Sequence, residues 1–246
     1  MVHGGGRTED GYFFSGGGGV ISPSWCVAMH AARFPESLYT DACAQLEAPR
    51  LEGGWEFFVE SSGIKIHRFY REHSGLYEYK VFGDLPDAGP QLYADVYMDL
   101  QYRRTWDSYV KELYERDHAG EKVVYWEVKY PFPLSNRDYV YTRERREIEV
   151  GGQTVWVVVA KSADVPGIVE KAGVVRVTDY LQSLALTSNG KHGTKVFMHY
   201  YDNPGGMIPS WLINWAAKSG VPAFLTDMQK ACRGYRDYCQ KAGKPL

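Results

Sequence analysis

The residues with the clearest capacity for chemistry are aromatic. Between Glu121 and Arg143 the chain reads EKVVYWEVKYPFPLSNRDYVYTR. Val124, Trp126, Val128 and Tyr130 share one face of a period-two pattern, and Val123, Tyr125, Glu127 and Lys129 share the other. Pro131 to Asn136, with two prolines that cannot donate to a ladder, forms the turn. A second strand starts near Arg137 and places Tyr139 and Tyr141 on one face. Trp126 and Tyr139 therefore approach each other from two strands across a polar turn. Rings so placed either pack as a dry core, the commoner fate of aromatic side chains, or hold a cation against their negative π-faces. Arg103 and Asp107 form a second candidate pair, spaced i and i+4 on a predicted helix. On a solvated face such a pair contributes under ~1 kcal/mol. Alternatively, Asp107 holds Arg103 in one rotamer so that the guanidinium meets a phosphate bidentately.

Catalytic signatures are missing. The chain has no G-x-S-x-G elbow, Walker loop, H-E-x-x-H or dinucleotide fingerprint. Its seven histidines are scattered, and Cys26, Cys43, Cys232 and Cys239 form no C-x-x-C pair. No metal, cofactor or disulfide framework is expected. Asp138 follows Arg137 directly in a strand, so the two point to opposite faces and are poor partners. No nucleophile is nominated, and the residues favour binding over catalysis.

The elements that must position these groups follow from periodicity. Helical spacing predicts a first helix over Pro35 to Leu46. Three short strands follow, Trp55 to Glu60, Gly63 to Tyr70 and Gly75 to Phe82, as an antiparallel meander. Gln91 to Trp106 is helical and broken near Asp99. Strands resume over Tyr109 to Arg116, the Glu121–Tyr130 hairpin arm and its partner, Thr154 to Lys161, Val174 to Leu186 as one strand, and Thr194 to Tyr201. In the Val174–Leu186 strand, Thr178, Tyr180 and Gln182 share a face with aliphatics, which suits a lined cavity or a partly wet surface. Asp202 to Pro209 is a loop in which Gly205 and Gly206 permit unusual backbone angles. A final helix runs from about Ser210 to Gln240, its stripe including Trp211, Trp215 and Phe224, with Pro222 expected to kink or split it.

The 246 residues suit one large domain. A net charge of −2 argues against a nucleic-acid binder. The charge is uneven. Residues 207–246 carry six basic side chains against two acidic, a local +4, which favours an anionic membrane surface or a solvated helix face. Aromatic residues make up 15%, and Tyr and Trp combine an apolar body with a polar tip. Residues 1–33, rich in glycine runs, are expected to be disordered, 34–240 to form the domain and 241–246 a tail. With no apolar run of 18 residues and no signal-peptide pattern, the cytoplasm is the expected location.

The element order resembles the START lipid-transfer domain, an α+β, helix-grip fold in which a curved antiparallel sheet wraps a long C-terminal helix and encloses a lipid tunnel. The segments GLYEYKVFG, ADVYMDLQYRRTWDSYVKELYE, VVYWEVKYPFPLSNRDYVY, KVFMHYYDNPGG and IPSWLINWAAKSGVP are similar to family members that carry phosphatidylcholine. The resemblance runs from about Phe34 to Tyr238. It implies that one phosphatidylcholine is bound and transferred without chemical conversion. It also implies that Trp126, Tyr139 and Tyr180 cage the choline, and that Arg103 binds the phosphate with Asp107 as its partner. Tyr97 and Gln182 line the same site. The DNPGG loop and last helix are then expected to act as a lid, with Gly205, Gly206, Trp211, Trp215 and Lys230 meeting a membrane surface transiently. The resemblance also allows an acyl-CoA thioesterase as a protein partner, although no residue identifies one. Carriage of phosphatidylethanolamine or ceramide, and a sensor that regulates a partner, are alternatives on the same fold.

Overall fold

The computed structural model describes residues 33–206 and 208–245, so the expected disorder of the first 32 residues lies outside the described region. The chain opens on helix α1, Glu36–Glu47, entered at Pro35. Strands β1 (Glu56–Ser61), β2 (Ile64–Arg71) and β3 (Leu76–Leu85) form the predicted meander. The β1–β2 connection is two residues long, with Ser62 and Gly63 both at positive φ, the twist that matches a right-handed hairpin. Helices α2 (Pro90–Met98) and α3 (Leu100–Trp106) are separated at Asp99, as the sequence suggests. Asp99 leaves helical geometry because its carboxylate caps α3, accepting from the Tyr102 amide at 2.9 Å.

Strands β4 (Val110–His118), β5 (Glu121–Val128), β6 (Asn136–Val150) and β7 (Gln153–Ser162) follow. The segment expected as one strand over Val174–Leu186 is two, β8 (Val174–Val177) and β9 (Tyr180–Ser188). Their partners explain the break. β8 pairs parallel with the start of β6, whereas β9 pairs antiparallel with β7 and with β10 (Thr194–Asp202). The alternation read straight through Thr178 therefore crosses a change of partner. The sheet order is β1-β2-β3-β10-β9-β7-β6-β5-β4, with β8 off this path beside β6.

The last helical segment is also divided. Helix α4, Ser210–Trp215, passes through a π-helical turn at Ala216–Gly220 into α5, Val221–Ala242. The widened turn falls just before Pro222, whose ring denies α5 one amide donor in its first turn. One face of the sheet packs on α2 and α5 through Val158, Leu184, Leu186 and Val196 against Ala94, Ala231, Cys232 and Tyr235. The other face packs on α1 through Val155, Val157, Val159, Ala185 and Phe197. Beyond the helical end, Lys244 Nζ returns to Asp99 Oδ2 at 2.8 Å and ties the C-terminus to the start of α3.

Candidate functional site

Trp126 and Tyr139 are register partners in the β5–β6 ladder, and their rings stack with centroids 5.0 Å apart at 29°. Tyr180, the first residue of β9, meets Tyr139 edge-on at 5.5 Å and Tyr141 likewise at 5.5 Å. Tyr200 of β10 adds a further wall, edge-on to Tyr180 at 5.8 Å. Tyr139, Tyr141 and Tyr180 are buried and Trp126 and Tyr200 partly so, and loss of solvent holds the Tyr139, Tyr180 and Tyr200 phenols well above their ordinary pKa, so they stay neutral. Neutral phenols and indole offer negative π-faces with no formal charge to desolvate.

Arg103 reaches this cluster from α3. Its guanidinium carbon lies 4.6 Å over the Trp126 ring, with Phe224 of α5 at 5.8 Å. Nε donates to Asp107 Oδ2 at 2.9 Å. The i,i+4 pair is buried, with side-chain exposures of 9% and 2%, which removes the solvated-face reading. Burial works against the arginine's charge, but the Asp107 carboxylate outweighs it and the pKa is raised. Asp107 also accepts from the Tyr109 amide at 3.0 Å, so it is oriented by backbone and cannot follow another partner cheaply. Among the described residues no hydrogen bond engages the two terminal nitrogens of Arg103. Tyr180 donates to Gln182 Oε1 at 3.2 Å, and Gln182 Nε2 donates to the Tyr97 hydroxyl. Tyr97, Arg103, Asp107, Trp126, Tyr139, Tyr180 and Gln182 thus form one continuous cluster.

The loop residues fall at its margin. Gly205 and Gly206 both take positive φ, and a Cβ at Gly205 would stand 2.9 Å from Val175 Cγ1. Trp211 is 43% exposed. Trp215 meets Tyr109 edge-on at 5.9 Å and lies against Gly220. Lys230 is on the exposed side of α5, paired with Asp227 at 3.3 Å, and does not join the cluster.

Three residues of this region were not nominated from sequence. Asp202, at the end of β10, accepts from Tyr139 Oη at 2.6 Å and from Tyr200 Oη at 3.0 Å. Tyr200 lies two residues before it on the same strand face, and β10 extends through Asp202, beyond the strand end that alternation predicts at Tyr201. Arg137 is buried, stacks 4.5 Å over Tyr130, and donates to the carbonyls of Ser135, Pro204 and Gly205 at 2.6, 2.9 and 3.1 Å. Its neighbour Asp138 points to the opposite face and pairs with Arg176 at 2.8 and 3.0 Å, as the alternation requires. Two surface clefts, of about 670 and 450 Å³, lie elsewhere: one by Asp99, Arg104 and Lys244, the other by Arg33, Leu38 and Lys161. Neither is lined by the aromatic cluster, so volume is a poorer guide here than chemistry. Among the described residues no group of side chains could hold a metal ion.

A sheet gripping a C-terminal helix, with a buried aromatic and arginine cluster between them, defines a class of lipid-binding domain. The START domain model matches residues 40–237, and the chain belongs to this family. Phosphatidylcholine transfer protein of Rattus norvegicus is 60% identical over 210 residues, covering 85% of this chain and 98% of that protein. Its Homo sapiens counterpart is 58% identical over 208 residues, covering 84% and 97%. The Mus musculus StAR-related lipid transfer protein 7, mitochondrial, is 32% identical over 186 residues, 73% of this chain and 49% of that protein. Among solved structures, human STARD10 superposes with a TM-score of 0.69 at 22% identity, covering 87% of this chain and 86% of that one. This last likeness speaks to fold alone.

Proposed function

We propose that the chain binds one phosphatidylcholine in its interior and carries it between membranes without changing it chemically. The observation that carries this reading is the meeting of two opposite chemistries in one buried cluster. Neutral π-faces stand beside an arginine whose terminal nitrogens are uncommitted. A quaternary ammonium has no N–H to satisfy, and each π-face contributes ~0.5–2 kcal/mol depending on desolvation. The phosphate ester beside it needs a buried counter-charge with a planar donor set, which is the role of Arg103 held by Asp107. Tyr97 and Gln182 supply polar lining. The acyl chains need apolar surroundings, which the sheet face packed on α2 and α5 offers through Val158, Leu184, Leu186 and Val196.

Further support comes from three buried indole N–H groups, Trp106, Trp126 and Trp156, that have no hydrogen-bond partner. Their rings pack in the clusters on the α5 side of the sheet. Orphan donors in a native interior ask for an acceptor, and the ester and phosphate oxygens of a lipid are acceptors. The names of the relatives at 58–60% identity support the same cargo. Loading takes place at a membrane surface, where the loop carrying Gly205 and Gly206 and the segment carrying Trp211 and Trp215 move aside. Lys230 and the basic C-terminus steer the approach to anionic lipid. A cytoplasmic carrier with no catalytic step fits these features.

Native mass spectrometry followed by lipid extraction tests the reading. The expected result is one unaltered phosphatidylcholine per chain, lost in Arg103→Ala and in Trp126→Ala. A protein that emerges empty and takes no phosphatidylcholine from liposomes would overturn the function and leave the fold intact.

A further inference from the structure

The headgroup reading assigns a partner to the phosphate but leaves the ammonium with π-faces alone. Asp202 supplies what is missing. It is the register partner of Tyr180 across the β9–β10 ladder, so its side chain lies on the same face of the sheet as the cage. Its Oδ2 is held by the hydroxyls of two cage tyrosines, Tyr139 at 2.6 Å and Tyr200 at 3.0 Å. Both donors belong to rings that contact Tyr180. The nearby cation, Arg137, gives its three guanidinium nitrogens to backbone carbonyls, and Asp202 enters none of the ion pairs found among the described residues. Burial pushes the Asp202 carboxyl above its ordinary range, against the pull of the two phenols and of Arg137. A carboxylate in such a place lacks a counter-ion, and a cation among the rings would be one.

We propose that Asp202 is the counter-ion of the cationic headgroup and makes the site select for positive charge, not only for the shape of a trimethylated group. This rests on the phosphatidylcholine reading and deepens it. The bound lipid would then be neutralised at both poles, its phosphate by Arg103 and its ammonium by Asp202. Carboxylate and rings act differently. The rings recognise a bulky apolar cation by dispersion and quadrupole, whereas the carboxylate supplies the opposite charge that the uncharged isostere cannot use. Tyr139 and Tyr200 serve twice, as walls and as the donors that fix Asp202.

The test uses liposomes with equal amounts of phosphatidylcholine and phosphatidyl-3,3-dimethylbutanol, whose headgroup is the uncharged carbon isostere of choline. The full chain is incubated with them and the extracted lipids are quantified. The wild type is expected to favour the choline lipid. Asp202→Asn keeps the acceptor for both phenols and is expected to lower that preference about tenfold, as for loss of one poorly solvated charge partner. From liposomes that offer the isostere alone, Asp202→Asn should load it as well as wild type does, a pattern that mere damage to the cage would not give. An Asp202→Asn protein with the wild-type preference would overturn the proposal while leaving the cage intact. A wild type that takes the two lipids equally would overturn the cage reading as well. Should Asp202→Asn fail to fold, an NMR titration of the Asp202 carboxyl in wild type decides the matter. It is expected to titrate lower with the choline lipid bound than with the isostere, and equal titration would refute the role.

Discussion

Arg103 shows how much of the site depends on one buried charge and the residue that keeps it. Its cost of burial is offset by Asp107 at 2.9 Å and by the Trp126 face at 4.6 Å. Removing one member of a buried pair leaves the other uncompensated. Asp107→Ala is therefore expected to destabilise the protein by about 3–5 kcal/mol, read by urea denaturation. Loading with phosphatidylcholine should restore part of that loss, because the phosphate is the only other anion the guanidinium would meet in the reading given above. Glu78 illustrates a charge that contributes to stability through its partners. It accepts from Arg71 at 2.6 Å and lies 2.9 Å from His199 Nε2. Burial raises its pKa, but these partners prevail and depress it to about 2. Its folded value lies below the unfolded one, so its contribution is full above the ordinary Glu range. It is lost as the pH falls through about 2. Glu78→Gln should flatten the stability profile between about pH 4.5 and 2, by up to roughly 3 kcal/mol, in denaturant titrations at stepped pH.

At the scale of elements, the β10–α4 loop is gripped by one strand face of β6. Arg137 and Tyr139 alternate on that face. The first holds the carbonyls of Pro204 and Gly205, and the second holds Asp202. The loop is thus fastened to the aromatic cluster and, through Arg137, to the turn before β6 at the Ser135 carbonyl. Lysine cannot span three carbonyls with a single nitrogen at Arg137's planar geometry. Arg137→Lys is expected to raise the rate of spontaneous lipid release about tenfold, the equivalent of one charge-assisted hydrogen bond of ~1.5 kcal/mol. Stopped-flow dequenching of a fluorescent phosphatidylcholine from preloaded protein measures it. An unchanged rate would mean that the loop is not what retains the lipid. The π-helical turn at Ala216–Gly220 joins α4 to α5, and a Cβ at Gly220 would stand 3.3 Å from the Trp215 ring.

For the whole molecule, charge and exposure point the same way. The +4 of residues 207–246 lies on the segment that holds exposed Trp211. Among the described residues no helix is long and apolar enough to cross a membrane. The membrane contact proposed above rests on interfacial tryptophan and long-range charge. Trp211→Ala is expected to reduce flotation with liposomes at all salt concentrations. Lys230→Glu should reduce it only with anionic vesicles at low salt, since a Debye length of about 8 Å at physiological ionic strength screens the effect. If both variants float and transfer lipid like wild type, the membrane-facing surface lies elsewhere.

By itself the sequence determined the local pieces. Period-two alternation placed Trp126 opposite Tyr139, the i,i+4 spacing paired Arg103 with Asp107, and Asp99 marked the helix break, because each is set by neighbours within a few residues. The same alternation separated Arg137 from Asp138. Alternation put Tyr180 and Gln182 on one mixed face, and the family resemblance added Tyr97 and gave all three their place in the site. Only the tertiary structure decided that β8 and β9 are two strands, that Tyr200 joins the aromatic cluster and that Asp202 sits across from Tyr180. It alone showed that Arg137 reaches carbonyls 67 and 68 residues away. Those facts follow from strand order and register across the sheet. Which strands lie side by side is settled by burial summed over the whole fold, and leaves no trace in the spacing of any one segment.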